Sequence, residues 1–222
     1  MSARGQGVLD LSADKARALK LTPVSRETEN RLQAFADLLL LWQQKTNLIS
    51  PATIPTLWTR HIADSLQLLD LAPEAKTWVD LGSGGGFPAL PIACALVEKP
   101  GTHVHLIESN GKKVAFLREA VRVTGVRATV HAARVEKYIQ TAVESVDVVT
   151  ARALAPLKTL CDQAFALIDR GAIGLFPKGQ DVAVELTETA KYWNIETSTV
   201  PSKTSPEGCI VVVKSLKRLS RA

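Results

Sequence analysis

Residues 79–96 read "VDLGSGGGFPALPIACAL": a strand-like apolar run, four glycines within the five positions 82–86, and a segment that opens a helix. Glycines between a strand and a helix let bare backbone approach a ligand closely, and such a loop can hold a dinucleotide, a nucleoside triphosphate or S-adenosylmethionine. On either side of it the texture differs. Up to residue 72 the pattern is helical: "SRETENRLQAFADLLLLWQQ" has Ser25 as N-cap and Leu32, Phe35, Leu39 and Trp42 at helical spacing, and "IPTLWTRHIADSLQLLDL" predicts a second helix ending before Pro73. From Thr77 onward strands at "TWVDL", "HVHLIES", "ATVHAA", "VDVVTA", "AIGLFPK", "IETSTV" and "CIVVVKS" alternate with helices. The expected fold is therefore α/β, with seven strands, mostly parallel, and an antiparallel last strand reached through the loop "PSKTSPEG". Residues 1–72 are expected to form a helical cap and residues 73–222 the sheet domain.

Of the three ligand classes, the triphosphate fails first. Its loop needs a lysine followed by Ser or Thr to hold phosphate and magnesium, and here the loop runs into Phe87 and Pro88. A dinucleotide remains open, because residues 84–89 satisfy the degenerate G-x-G-x-x-A form and Glu108 ends the next strand. Two features favour the third class. Asp80, at the end of the first strand, would repel a pyrophosphate but suit a ligand carrying an amino group and a sulfonium. Pro88 fits the first turn of the following helix, where its missing N–H costs nothing. Asp80, Gly82, Ser83, Gly84 and Gly86 then read as the D-x-G-x-G-x-G loop of class I S-adenosylmethionine-dependent methyltransferases, with their Rossmann-like sheet. Glu108 is the residue expected at the ribose hydroxyls.

Composition narrows the partners. The chain has 222 residues, 46% hydrophobic and 22% charged, with a net charge of +5. Residues 111–137 carry seven Lys or Arg against Glu119 and Glu136, and the tail "KSLKRLSRA" adds four more, so the positive charge is concentrated in two places, a pattern shared by a solvated helix face with a basic tail and by a nucleic-acid-binding surface. No segment approaches 18 uninterrupted apolar residues and the first twenty have no signal-peptide core, so a soluble cytoplasmic protein without membrane contact is expected. Cys94, Cys161 and Cys209 and the four scattered histidines have no metal-ligand spacing, and no metal is expected.

The loop after the fourth strand, "VDVVTARALAPL", has neither the Asn/Asp-Pro-Pro-aromatic motif suited to an amine or amide acceptor nor a cysteine nucleophile. Guanine N7 needs neither: its lone pair lies in the ring plane and carries no proton, so transfer requires positioning and exclusion of water rather than a base. No residue is accordingly assigned as a catalytic base.

The segments "KTNLIS", "RHIADS", "VDLGSGGGFPALPIA", "LIESNGKKVAFLREA", "ARVEKY", "TARALAPL" and "PKGQ", in this order over residues 42–180, resemble the bacterial ribosomal RNA small subunit methyltransferase G family, also called glucose-inhibited division protein B. The resemblance implies methyl transfer from S-adenosylmethionine to N7 of a guanine in 16S ribosomal RNA, presented free, in the small subunit or in an assembly intermediate. It places cofactor contacts at Gly82, Phe87, Val135, Glu136 and Arg152. It also places RNA contacts at Lys112 and Lys113; Arg118 and Arg122, one helical turn apart, and Lys178, ending the fifth strand, join them as phosphate contacts. His61, Asp64 and Ser65 of "RHIADS" are expected either to close the pocket from the cap side or to bond the cap to the sheet. The family often has a basic residue entering the last strand, where this chain has Gly208 and Cys209, so the basic tail is the expected substitute. A monomer is expected. Two other readings stay open: a nicotinamide-dependent oxidoreductase, and an RNA-binding protein of this fold without catalysis.

Overall fold

A computed structural model describes residues 10–141 and 145–219. Its centre is a seven-stranded sheet of order β3-β2-β1-β4-β5-β7-β6, formed by β1 (Thr77–Leu81), β2 (His103–Glu108), β3 (Ala128–Ala132), β4 (Val148–Thr150), β5 (Ile173–Lys178), β6 (Trp193–Pro201) and β7 (Cys209–Arg218). Strands β1 to β5 run parallel, and β7 is antiparallel to both β5 and β6. The seven-strand expectation with an antiparallel last strand is met. Order reverses between β1 and β4, the switch point outside which ligands bind in such sheets.

Alternation along the strands sorts two apolar layers. Trp78, Val104, Leu106, Val148 and Leu175 face one side, and Val79, Leu81, Ile107, Val149 and Phe176 the other. The second side is covered by α6 (Val135–Gln140) and α7 (Leu157–Ile168), with α8 (Val182–Thr189) packed on α7. The first side takes α4 (Ala89–Leu96) and α5 (Gly111–Thr124), and outside them the N-terminal α1 (Ser12–Leu21) and α2 (Arg26–Gln43). This explains why "ALPIACAL" has no polar face: α4 is buried at every position except Ala95, with the sheet on one side and α2 on the other. Leu32, Phe35 and Leu39 of α2 join the same core cluster as Phe87, Leu90 and Phe116, so the N-terminal helices share their core with the sheet. Ser25 caps α2 by accepting from the Thr28 N–H, as its position predicts.

The second predicted helix is instead broken into four short pieces: a 3₁₀ turn at Pro51–Thr56, a π turn at Trp58–Ala63, α3 (Asp64–Leu66) and a 3₁₀ turn at Gln67–Leu71. Two causes are visible. Pro55 offers no N–H to a helical ladder. A new start is then fixed from a distance: Asp14 of α1 accepts from the Trp58 and Thr59 N–H groups at 2.8 and 3.2 Å and from Thr59 Oγ1 at 2.5 Å. That carboxylate satisfies helix-end donors no local residue reaches.

The glycine loop lies between both regions. Gly86 has φ +88°, and a Cβ there would stand 2.5 Å from Leu90 Cδ1 and 3.3 Å from Phe35. Gly86→Ala combines an unfavourable backbone with a buried clash, so we expect a loss of about 2 kcal/mol or more in urea denaturation. Unchanged stability would show that α2 does not press on the loop.

Candidate active site

The carboxyl ends of β1, β2, β4 and β5 and the start of β7 open onto one cavity of about 1110 Å³. A site for one drug-sized ligand is roughly 300–1,000 Å³, so this one lies just above the upper end of that range. Its floor is the turn from β1 to α4. Gly82 and Gly84 take φ +68° and +53°, and a Cβ on Gly84 would find no heavy atom nearer than 3.7 Å, so this stretch of backbone is bare on its open side. The Ser83 N–H donates to the Ile107 carbonyl at 2.9 Å, which ties the loop to β2. Glu108, ending β2, holds the loop from the other direction: Oε2 accepts from the Gly84 N–H at 2.9 Å and Oε1 from the Asn110 N–H at 2.7 Å. Asn110 in turn caps α5 through the Lys112 and Lys113 N–H groups. The floor thus combines exposed peptide groups with a fixed carboxylate, a donor set that fits the hydroxyl-rich sugar and polar tail of an adenosyl cofactor.

Gly82, Ser83, Gly84, Phe87, Glu108, Val135 and Arg152 from the predicted cofactor set all line this cavity, as do Lys113 and Lys178 from the predicted RNA set. The others lie elsewhere. Gly86 faces Leu90 and Phe35, as above. The Ser83 hydroxyl turns inward to the Asp80 carbonyl at 3.2 Å. The side chain of Glu136 is exposed and accepts from Gln163 of α7 at 3.0 Å, away from the cavity.

Asp80 requires a correction. Its carboxylate was expected to face the ligand, but it is 1% exposed and lies beneath the loop. The cause is strand parity and register: Asp80 pairs with Thr150 of β4, whose Oγ1 donates to Oδ1 at 2.8 Å. Oδ2 has no hydrogen-bond partner among the described residues. Burial pushes the carboxyl up to about 7, outweighing the hydrogen bonds from Ser83 and Thr150 and the nearby Arg152 charge, all of which favour the anion.

The wall opposite is built on Arg152, which follows β4. Its guanidinium lies 5.1 Å over the Phe87 ring and donates to the Arg60 carbonyl at 3.0 Å and to His61 Nδ1 at 2.5 Å, beside Asp64 at 3.4 Å. A guanidinium has no acceptor, so His61 Nδ1 must accept; the ring is neutral, and Nε2–H donates to Thr53 Oγ1 at 2.8 Å. Burial, with Arg152 and Arg60 beside it, pushes His61 down to about 3. Asp64 Oδ1 accepts from Gln67 at 2.9 Å and from Thr204 Oγ1 at 2.7 Å, and Ser65, fully buried, donates to the His61 carbonyl at 2.6 Å. His61 and Asp64 thus close the cavity, whereas Ser65 only holds the turn. Sequence reading missed Gln67 and Thr204, loop residues more than 130 positions apart that carry no motif. It missed Asn110 as well, although an Asn just before "GKK" is an N-cap signal.

The predicted phosphate contacts divide. Lys112 and Arg118 are exposed on α5. Arg122 is committed to Glu119 through two hydrogen bonds of 2.9 and 2.7 Å. Arg127, counted in the basic cluster, caps α4 by donating to the Val97 and Lys99 carbonyls at 2.5 and 2.6 Å. Lys178 is bound to the Ala155 carbonyl and to Glu185 within the cavity wall. The described part of the basic tail runs away from the cavity. β7 begins at the cavity with Cys209 opposite Lys178 and ends at the far sheet edge, where Arg218 lies over Phe165 and Trp193; residues 220–222 fall outside the described residues. Arg60, at the cavity mouth, is a cation the sequence reading did not select.

None of the three thiols is poised as a nucleophile: burial pushes Cys94 and Cys161 up to about 12 and raises Cys209. No group of three metal-ligating side chains occurs among the described residues.

The Asp80 environment has a measurable sign. Its folded pKa lies above its unfolded value of 3.8, so between pH 4 and 7 the folded state binds more protons and stability falls as pH rises. Asp80→Asn should remove that slope, at most about 1.4 kcal/mol per pH unit. Guanidinium denaturation of both proteins from pH 5 to 7.5 should show the difference shifting steadily in favour of the variant. A constant difference would mean that Asp80 ionises normally.

The model of the family described as rRNA small subunit methyltransferase G matches residues 28–210. The protein named ribosomal RNA small subunit methyltransferase G of Bradyrhizobium sp. strain BTAi1 is 59% identical over 208 residues, 94% of each chain. Its namesake from Nitrobacter winogradskyi is 54% identical over all 222 residues and 80% of its own length. Among solved structures, a Podospora anserina methyltransferase with bound S-adenosylhomocysteine aligns with a TM-score of 0.62 at 12% identity, covering 96% and 98% of the two chains. An O-methyltransferase from Bacillus cereus gives 0.57 at 14% identity, covering 92% and 99%. These two likenesses show the class I methyltransferase fold alone. The sequence matches set the oxidoreductase reading aside: the chain is a methyltransferase and belongs to the rRNA small subunit methyltransferase G family.

Proposed function

We propose that this protein transfers the methyl group of S-adenosylmethionine to N7 of a guanine in 16S ribosomal RNA, as free RNA or within the small subunit or its precursors, and so works in the cytoplasm. The observation that supports the choice of N7 is that, among the described residues, neither the cavity's histidine nor Asp80 nor any thiol is available as a base. His61 is held neutral as an acceptor for Arg152, Asp80 is sealed beneath the floor, and the thiols are raised. An acceptor that must lose a proton would be poorly served there. Guanine N7 loses none.

The cofactor supplies an electrophilic methyl on a cationic sulfur. The chain's part is placement and field. Glu108 offers a carboxylate to the adenosyl sugar beside the bare backbone of Gly82 and Gly84, and Phe87 and Val135 supply apolar walls. Arg152 is fixed by Arg60, His61 and Asp64, so the wall of the cavity is set before substrate arrives. Lys113 and Arg60 line the cavity and Lys112 and Arg118 are exposed on α5, and these four cations would provide phosphate affinity without base choice.

Incubating the protein with labelled S-adenosylmethionine and naked 16S rRNA or 30S particles should label one guanine, detectable by chain cleavage at N7-methylguanosine. Label at another atom, or none in either substrate, would refute the reading. Glu108→Ala should weaken S-adenosylhomocysteine binding by about 1–3 kcal/mol, since it removes a buried acceptor; unchanged affinity would remove Glu108 from the cofactor site. Lys112→Ala should lower RNA affinity and flatten its salt dependence while sparing the cofactor.

A further inference from the structure

The cavity that the glycine loop floors also carries a charged pair, contributed by β5 and α8. Lys178 ends β5, and Glu185 lies on α8. The Lys178 ammonium donates to the Ala155 carbonyl at 2.9 Å and to Glu185 Oε2 at 2.7 Å. The same Oε2 accepts from the Leu157 N–H at 2.5 Å. The pair is therefore pinned to the loop after β4, whose Leu154 packs on Gly82 so closely that a Cβ on that glycine would lie 2.6 Å from Leu154 Cδ1. A short chain of contacts thus runs from cofactor loop to ion pair. Both side chains line the cavity and are only 10% and 25% exposed.

Each partner keeps one hydrogen-bonding position in reserve. An ammonium has three protons, of which two are used, and Glu185 Oε1 accepts no hydrogen bond from the described residues. The fold therefore presents one N–H donor beside one carboxylate acceptor.

Resting on the guanine-N7 reading above, we propose that Lys178 and Glu185 read the acceptor base: Lys178 donates to guanine O6, and Glu185 Oε1 accepts from N1–H. O6 is the group next to N7 around the purine ring, so a base held by O6 and N1–H leaves N7 uncovered by the pair. Adenine also has an N7, but its amino group would meet the ammonium and its bare N1 the carboxylate, leaving both charges mispaired. The pair also acts on the rate. As the N7–C bond forms and the S–C bond breaks, the sulfur becomes a neutral thioether and the guanine a cation, with no proton lost. The hydrogen bond from N1–H to Glu185 strengthens as that charge grows, so it favours the transition state over the bound guanine.

The test uses 30S particles rebuilt with 16S rRNA in which the methylated guanosine is replaced. Inosine keeps O6 and N1–H; 2-aminopurine keeps N7 but lacks both. The wild-type protein should methylate inosine within about threefold of guanosine and 2-aminopurine at least about 30-fold more slowly. Glu185→Gln, which can still accept from the Leu157 N–H, should lower kcat on guanosine about tenfold or more, shrink the guanosine to 2-aminopurine ratio, and leave S-adenosylhomocysteine affinity unchanged. Equal rates on guanosine and 2-aminopurine by the wild-type protein would overturn the inference without needing any variant to fold. So would a wild-type ratio in a folded Glu185→Gln protein. Absence of N7 methylation on any guanine would overturn the functional reading, and this inference with it.

Discussion

A Cβ on Gly85 would stand 2.8 Å from the backbone oxygen of Leu48, and the rest of the site is arranged around that approach. The Leu48 segment is held in place by Gln43, which accepts from the Leu48 and Ile49 N–H groups at 2.9 and 3.1 Å and donates to the Ile49 carbonyl at 2.9 Å. Leu48 and Ile49 then form part of the cavity wall. The glycine loop is thus bare for two reasons. Its open side must admit a ligand at Gly84, and its closed side must admit the N-terminal segment at Gly85 and the α2 side chain Phe35 at Gly86. Close approach on both sides explains four glycines where a ligand alone would need fewer. It also couples the N-terminal helices to the site, since displacing them would remove part of its wall.

The same economy governs the charges. Arg152, Asp64 and His61 form one buried cluster with the proton positions fixed by a single fact, that a guanidinium only donates. Polar groups from the turn before β1, the loop after β4 and the β6–β7 connection meet there, so three segments distant in sequence are held in one geometry. Asp80 is the counterweight: a buried acid whose burial holds back its charge although Arg152 lies near. Such an arrangement costs stability and is typical of a site organised for a ligand rather than for the fold.

Much of the fold could be read from the sequence. Strand alternation and the glycine loop predict a mixed sheet of seven strands, because periodicity and turn chemistry are local properties. The π and 3₁₀ turns after Pro51 could not be read, since the residue that restarts the helix at Trp58 is Asp14, some 44 positions earlier. Site residues followed the same division. Glu108, Phe87, Val135 and Arg152 reach the cavity because strand ends and their following loops face it by topology. Asp80 did not, since a one-residue step along β1 decides whether a side chain faces the pocket or the layer beneath. The commitment of Arg122, Arg127 and Lys178 to carboxylate or carbonyl partners was likewise invisible, because a run of basic residues does not show which charges are already satisfied.

We propose that the Glu108–glycine floor holds an adenosyl sulfur ligand and leaves the Lys178–Glu185 pair for the acceptor base. Calorimetric titration of the protein with S-adenosylhomocysteine and, separately, with NADH tests it most directly. One-to-one binding of S-adenosylhomocysteine that weakens in Glu108→Ala, with no heat from NADH, is the predicted result. Binding of NADH in the absence of any S-adenosylhomocysteine binding would contradict it.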